Sequence, residues 1–475
     1  MRNSPSLLGA LLIAALAAAS ANAGATATAV DRGPVRHLEF PPMGPIEVYL
    51  PDHVDAKTDV VLFASGAGGW DAHAADVATQ IQGTGRIVAG FSTPEYLKRI
   101  DASGLKCANP PQDLVSLSQF VQRELGILDY RTPMLVGDSS GASLAYVVAA
   151  QTPINAFTGA IAIGFCPELA MNMPLCRRGA LRKLVIKGDG NRNRLQSVDR
   201  LVAPLEVLEG TNDERCKTDD VAAFVQRTGN AHLTPPHAGG AVQGETWLAQ
   251  FNAAFATLAA LRPVEGASKS ADLAGLPLIE RPIESTSTTL VVMLSGDGGW
   301  STLTEKVTVE LNGSGYPVVG WNMLKYFWNA KPPEQAAQDL ATIMRYFSDA
   351  WHTQDVILAG YSMGADVLPG IVNRLPPAEQ RRVRSVVLMA PERATDYEFH
   401  MSGWLKHVPK DALPIAPEVE NMPADIPITC IYGDEEADRS LCTQVDAGRR
   451  GLTLKELPGA HHFDGDYEAL ARLVR

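Results

Sequence analysis

Two consecutive α/β domains, each a mostly parallel sheet with helices on both faces, are predicted by three features of this sequence. An internal repeat divides the chain. Apolar runs of strand length alternate with longer helical patterns. In each half, one such run ends in a serine held between glycines. At 475 residues the chain exceeds one ordinary domain, and two is the natural expectation.

The repeat is explicit. Ser65-Gly66-Ala67-Gly68-Gly69-Trp70 matches Ser295-Gly296-Asp297-Gly298-Gly299-Trp300, and Gly83-Thr84-Gly85 matches Gly313-Ser314-Gly315. Further landmarks keep their order: Gly137-x-Ser139-x-Gly141 with Gly360-x-Ser362-x-Gly364, "FCPE" ending at Glu168 with "MAPE" ending at Glu392, and "LEG" ending at Gly210 with "IYG" ending at Gly433. Two copies of one domain follow, over residues 35–262 and 290–475. Residues 263–289, rich in Pro, Gly, Ser and Ala and without periodicity, read as a linker.

In the second copy, "TTLVVML", "YPVVGW", "DVILAG", "SVVLMAP", "PITCIYG" and "TLKELPG" are the expected strands. They are apolar on both faces, as buried parallel strands are. "EKVTVELNG", "EQAAQDLATIMRYFSDAW" and "ADVLPGIVNRL" are the expected helices, the last kinked at Pro369. Such alternation places functional groups at the carboxyl ends of the strands.

Composition narrows the function classes. A net charge of -12 excludes simple electrostatic binding to nucleic acid or to an anionic membrane. Arg2, the apolar run Leu7–Ala19 and the small residues Ala21-Asn22-Ala23 read as a signal peptide over residues 1–23. Export to a bacterial periplasm is the expectation. Six cysteines, four in the first half and two in the second, suit disulfides in an oxidising compartment. Cys430 is expected with Cys442, Cys166 with Cys176, and Cys107 with Cys216. No metal-ligand spacing is present, and no cofactor is expected.

A Gly-x-Ser-x-Gly between a strand and a helix is a nucleophile elbow, which exposes the serine Oγ above the sheet. Ser362 is therefore the expected nucleophile, and the fold is α/β-hydrolase-like. A serine needs a base, and the base needs a carboxylate, in the chain order serine, acid, histidine. The spacing Gly-x-x-acid after "IYG" lands on Glu436, with Asp434 and Asp438 as rivals. In "LPGAHHFDGD" the spacing favours His462 as base, with His461 beside it. The oxyanion hole would take backbone N–H groups from Met363 and from Asp297 or Gly298. In the first copy the corresponding second site would be Ser139, Asp213 and either His237 or His232, in a less convincing context.

The set "SGDGGW", "GYSMGADVLP", "MAPE", "IYGDEEADRSLC" and "LPGAHHFDGDY" resembles the VirJ/AcvB family of bacterial virulence proteins, in its two-domain form. The resemblance implies a periplasmic α/β-hydrolase that removes lysine or alanine from aminoacyl-phosphatidylglycerol. It also implies a link to type IV secretion components. By position it makes Ser362 the nucleophile and one of the two histidines the base. An aminoacyl ester carries an ammonium beside its carbonyl. Selectivity for it would want a carboxylate near Ser362, and Asp297, Asp366 and Glu392 are the candidates. The competing readings are a general carboxylesterase or lipase and a non-catalytic adaptor or chaperone.

Overall fold

A computed structural model describes residues 35–176, 185–187, 192–211, 216–238, 244–261, 270–283, 287–400 and 412–475. The stretch read as a signal peptide, residues 1–23, lies outside the described residues. The chain forms two large sheets, each mostly parallel and flanked by helices. From edge to edge, the first sheet runs Val35–Phe40, Gly44–Tyr49, Ile87–Phe91, Val60–Ala64, Met134–Asp138, Gly159–Ile163, Leu205–Gly210 and Ala231–His237. The second runs Leu278–Arg281, Val318–Trp321, Thr289–Leu294, Asp355–Tyr361, Val383–Met389, Ile428–Gly433 and Leu452–Leu457. Antiparallel pairing is confined to the first edge of each.

All six strands expected in the second copy form. The inner ones bury both faces: Thr289–Leu294 is buried at every position, and Asp355–Tyr361 at all but its first. The expectation fails at the last, Leu452–Leu457, which lies at the sheet edge and has no buried position. The three expected helices are Thr302–Gly313, Pro333–Ala350 and Met363–Asn373. The last continues through Pro369 as one element.

The stretch read as a linker is corrected in part. Leu278–Arg281 is an antiparallel edge strand of the second sheet, and Leu273, Leu278 and Ile279 are buried. Apolar side chains at these positions draw the segment onto the second domain despite the turn-rich composition around it.

The repeated motif has a packing cause. A Cβ at Gly320 would lie 2.3 Å from the Trp300 ring, and one at Gly90 would lie 1.7 Å from Trp70. Each tryptophan therefore occupies the space beside a glycine of the neighbouring strand. The preceding serines tie loops together at the carboxyl edge. Ser295 Oγ accepts from Met323 N at 2.9 Å, and Ser65 Oγ from Thr93 N at 3.1 Å.

Three disulfides join Cys107 to Cys176, Cys166 to Cys216, and Cys430 to Cys442. The third pair is the expected one, and the other two exchange partners relative to the sequence expectation. Cys166 leaves the carboxyl end of Gly159–Ile163, and Cys216 follows the neighbouring strand Leu205–Gly210. Adjacency in the sheet brings them to a Cα separation of 5.6 Å, within bonding range. Ala108 pairs with Leu175 and its N–H donates to Pro174 O, which sets Cys107 against Cys176. Peptide mapping without reduction should recover these three pairs. A peptide joining Cys166 to Cys176 would contradict the arrangement.

Candidate active site

Backbone crowding builds the elbow. A Cβ at Gly360 would lie 2.3 Å from Gly364 O, and one at Gly364 would lie 2.5 Å from Leu294 O. Only glycines let strand, turn and helix approach so closely. Ser362 takes a left-handed conformation (φ 52, ψ -123), strained for a residue with a Cβ. Its N–H donates to Met389 O at 2.9 Å, which anchors the turn to the neighbouring strand. Ser139 repeats this geometry with φ 55, ψ -107 and an N–H to Ile163 O at 2.8 Å.

The oxyanion candidates lie on the two segments that flank Ser362. Met363 is the first helical residue, so its N–H has no acceptor within the helix. The loop after Thr289–Leu294 turns tightly at Gly296–Gly299, with Gly299 N donating to Gly296 O at 3.0 Å. A Cβ at Gly296 would touch Ser362 Cβ at 3.2 Å. Asp297 and Gly298 are the central residues of that turn.

Glu436 is the acid that meets a histidine. Its Oε2 is 3.0 Å from His461 Nδ1, and its side chain is 8% exposed. His461 holds the Glu436 carboxyl down to about 2, with Arg439 adding to the effect. Arg439 also bonds Glu436 Oε1, so each carboxylate oxygen has its own partner. Asp434 and Asp438 are both exposed. Asp434 Oδ1 accepts from Gly459 N at 2.8 Å, tying the acid loop to the histidine loop. Asp438 contributes its carbonyl, which accepts from Arg393.

The order of the two histidines is reversed from the sequence expectation. His461, not His462, faces the acid. His462 Nδ1 instead lies 3.1 Å from Tyr361 Oη, and that hydroxyl is also 3.2 Å from His461 O. Both imidazoles lie beside the Tyr361 ring, and it is His461 that meets Glu436. Tyr361 and Arg439 were missed from sequence. Their signals are position alone: one precedes the elbow serine, and the other lies one helical turn beyond the acid.

The three candidate carboxylates differ in kind. Asp366 is buried, and burial, opposed by a hydrogen bond from Glu392 N at 2.7 Å, pushes its carboxyl well above the usual range. The charges of Glu392 and Asp297 push the same way. Asp366 thus anchors the main chain at Glu392. Glu392 is exposed and lines a small open depression with Pro391, Tyr432, Glu436, Arg439 and Ser440. Among the described residues no cluster of His, Cys, Asp and Glu is suited to a metal ion.

In the first domain, Asp213 lies outside the described residues, as does the side chain of His237, the last residue of its strand. His232 is excluded as a partner of Ser139. It pairs with Glu206 at 2.9 Å near the start of two adjacent parallel strands, at the sheet edge opposite the elbow. The unforeseen feature is His73, whose Nε2 lies 3.3 Å from Asp138, the residue before Ser139. The Asp138 carboxylate raises the His73 pKa.

Residues 288–475 match the family described as "Bacterial virulence protein (VirJ)". No curated protein matches the chain. Among solved structures, it is similar to a putative dienelactone hydrolase from Klebsiella pneumoniae subsp. pneumoniae MGH 78578, with 17% identity and a TM-score of 0.34. That match covers 47% of this chain and 98% of the other. A lipase-esterase related protein from Clostridium acetobutylicum ATCC 824 has 15% identity and a TM-score of 0.31, over 42% of this chain and 98% of the other. Est1E from Butyrivibrio proteoclasticus has 15% identity and a TM-score of 0.29, over 42% and 89%.

The depressed Glu436 pKa has a signed consequence. The group titrates lower folded than unfolded, so its stabilisation is complete above about pH 5 and is lost as pH falls towards 2. Urea unfolding across that range should show the gap between the wild type and Glu436→Gln closing with acidity. A gap that stays constant would refute the pairing.

Proposed function

From residues 288–475, which belong to the VirJ family of bacterial virulence proteins, we propose that the chain is a serine hydrolase of the periplasm. Its substrate is the aminoacyl ester of aminoacyl-phosphatidylglycerol, lysyl or alanyl, met at the membrane surface. The observation that carries the reading is the Glu436–His461 contact at 3.0 Å. It lies at the same sheet edge as a serine in the strained elbow conformation.

Ser362 Oγ attacks the ester carbonyl. His461 takes the Oγ proton at Nε2, while Glu436 at Nδ1 holds the tautomer and stabilises the imidazolium. The N–H groups of Met363 and of Asp297 or Gly298 receive the developing oxyanion. Collapse expels the glycerol oxygen, which takes the proton from His461. Water, deprotonated by the same imidazole, then releases the amino acid from Ser362. Three disulfides suit an oxidising compartment. Among the described residues no helix is long and apolar enough to cross a membrane.

Glu392 is the carboxylate best placed for the substrate ammonium. It is exposed and fixed at its backbone by Asp366, and it shares the depression with Glu436. A neutral ester would not use that charge. An adaptor would need none of this chemistry, and its phenotype would survive Ser362→Ala.

Amino acid released from lysyl- and alanyl-phosphatidylglycerol is the direct measurement. Ser362→Ala and His461→Ala should each lower kcat by roughly 10³-fold or more. His462→Ala should cost far less, and the reverse order for the histidines would overturn the assignment. Glu392→Gln should hurt aminoacyl-ester cleavage more than cleavage of a neutral ester. Equal loss on both would remove the ammonium role.

A further inference from the structure

One contact between the two domains centres on Trp328. Trp328 Nε1 donates to Ile127 O at 2.7 Å, and Asn329 Nδ2 donates to Leu128 O at 2.6 Å. Tyr130 of the first domain packs with Leu324, Trp328 and Phe399 of the second in a separate apolar cluster, no member more than 7% exposed. Arg123, in the last turn of the helix Pro110–Glu124, reaches across. Its guanidinium lies over the Trp328 ring, 4.4 Å from the centroid. It donates to Phe399 O at 2.6 Å and stands 3.6 Å from the Glu398 carboxylate. Partial burial lowers the Arg123 pKa, and these partners satisfy its charge.

What Arg123 grips leads directly to the candidate site. Residues 391–400 leave the carboxyl end of Val383–Met389, the strand that receives the Ser362 N–H. Phe399 is held again by its N–H to Phe327 O at 2.6 Å and by stacking on Trp328 at 5.3 Å. Tyr397 Oη lies 3.5 Å from Val367 O, and a Cβ at Gly370 would lie 1.9 Å from that hydroxyl, so Tyr397 seats on the elbow helix. Arg393 bonds the acid loop at Asp438 O, and Pro391 O accepts from Leu441 N at 3.1 Å. Pro391 and Glu392 then form one wall of the depression beside Glu436.

We infer that the first domain serves the second as a positioning element: Arg123 fixes Glu398 and Phe399, and through them the wall at Pro391 and Glu392. The inference rests on the reading of Ser362 as the nucleophile. It makes Arg123 a positioning residue for substrates that reach Glu392. A small acyl group that does not reach Glu392 is indifferent to it.

The test uses the full mature chain. Two esters are compared: lysyl-phosphatidylglycerol in detergent micelles, and p-nitrophenyl acetate. Arg123→Ala should raise KM for the lipid by roughly tenfold, within the range that small misplacements of positioning groups produce. It should leave p-nitrophenyl acetate turnover within about twofold and change Tm little. Arg123→Lys keeps the charge beside Glu398 and should recover part of the loss. Glu398→Gln removes one partner without truncating the stack on Trp328, and should shift KM the same way by less. Equal loss on both esters with a lowered Tm would overturn the inference, because the contact would then only hold the fold. An active wild type matched by Arg123→Ala on both esters would overturn this inference alone. A wild type that cleaves neither ester would overturn the hydrolase reading and this inference with it.

Discussion

The geometry of the second domain depends on backbone meeting backbone at the elbow. Gly360 faces Gly364 O, and Gly364 faces Leu294 O, at separations that admit no Cβ. That approach seats the helix Met363–Asn373 tightly on the sheet and holds Ser362 in its left-handed conformation. Strain of this kind persists only where the surroundings over-determine it. Here the surroundings are the Thr289–Leu294 strand on one side and Met389 on the other. The first domain keeps the same crowding at Gly137 and Gly141. Its elbow has retained its shape while the residues around it have diverged.

The acid and histidine loops are tied to each other before their side chains meet. Asp434 accepts from Gly459 N, and Glu435 N donates to Gly459 O at 3.2 Å. A Cβ at Gly433 would lie 2.2 Å from Gly459 O. The Glu436–His461 separation is therefore set by main-chain contacts between neighbouring loops. Tyr361 adds a third fixed point, linking the elbow strand to the histidine loop through its hydroxyl. The histidine loop is thus tied both to the elbow strand and to the acid loop.

Much of the fold was legible because buried parallel strands are apolar on both faces, and glycines are required wherever backbones touch. Leu278–Arg281 was not legible. An edge strand of four residues leaves little pattern, and its surroundings read as turns. Gly-x-x-acid spacing singled out Glu436 because the strand end sets the start of the loop. The choice between adjacent histidines is different in kind. His461 and His462 share composition and neighbourhood, and only the path of the loop decides which ring meets the carboxylate. The cysteine partners of the first domain failed for a similar reason: Cys166 and Cys216 are brought together by strand order, which spacing along the chain does not encode. Asp138 and His73 were hidden because the elbow motif says nothing about the residue before its serine, which is Tyr361 in one copy and Asp138 in the other.

The set of contacts around Ser362 also has a temporal side. Its members are scattered along the second domain, and the histidine loop is the last of them in chain order. A growing chain that has emerged past the elbow carries the serine without its base. It has no neighbouring loop to hold the acid in register. The contact of Glu436 with His461 can therefore close only once the final strand Leu452–Leu457 is available to pair with Ile428–Gly433. The order of the strands makes that meeting a late event in synthesis.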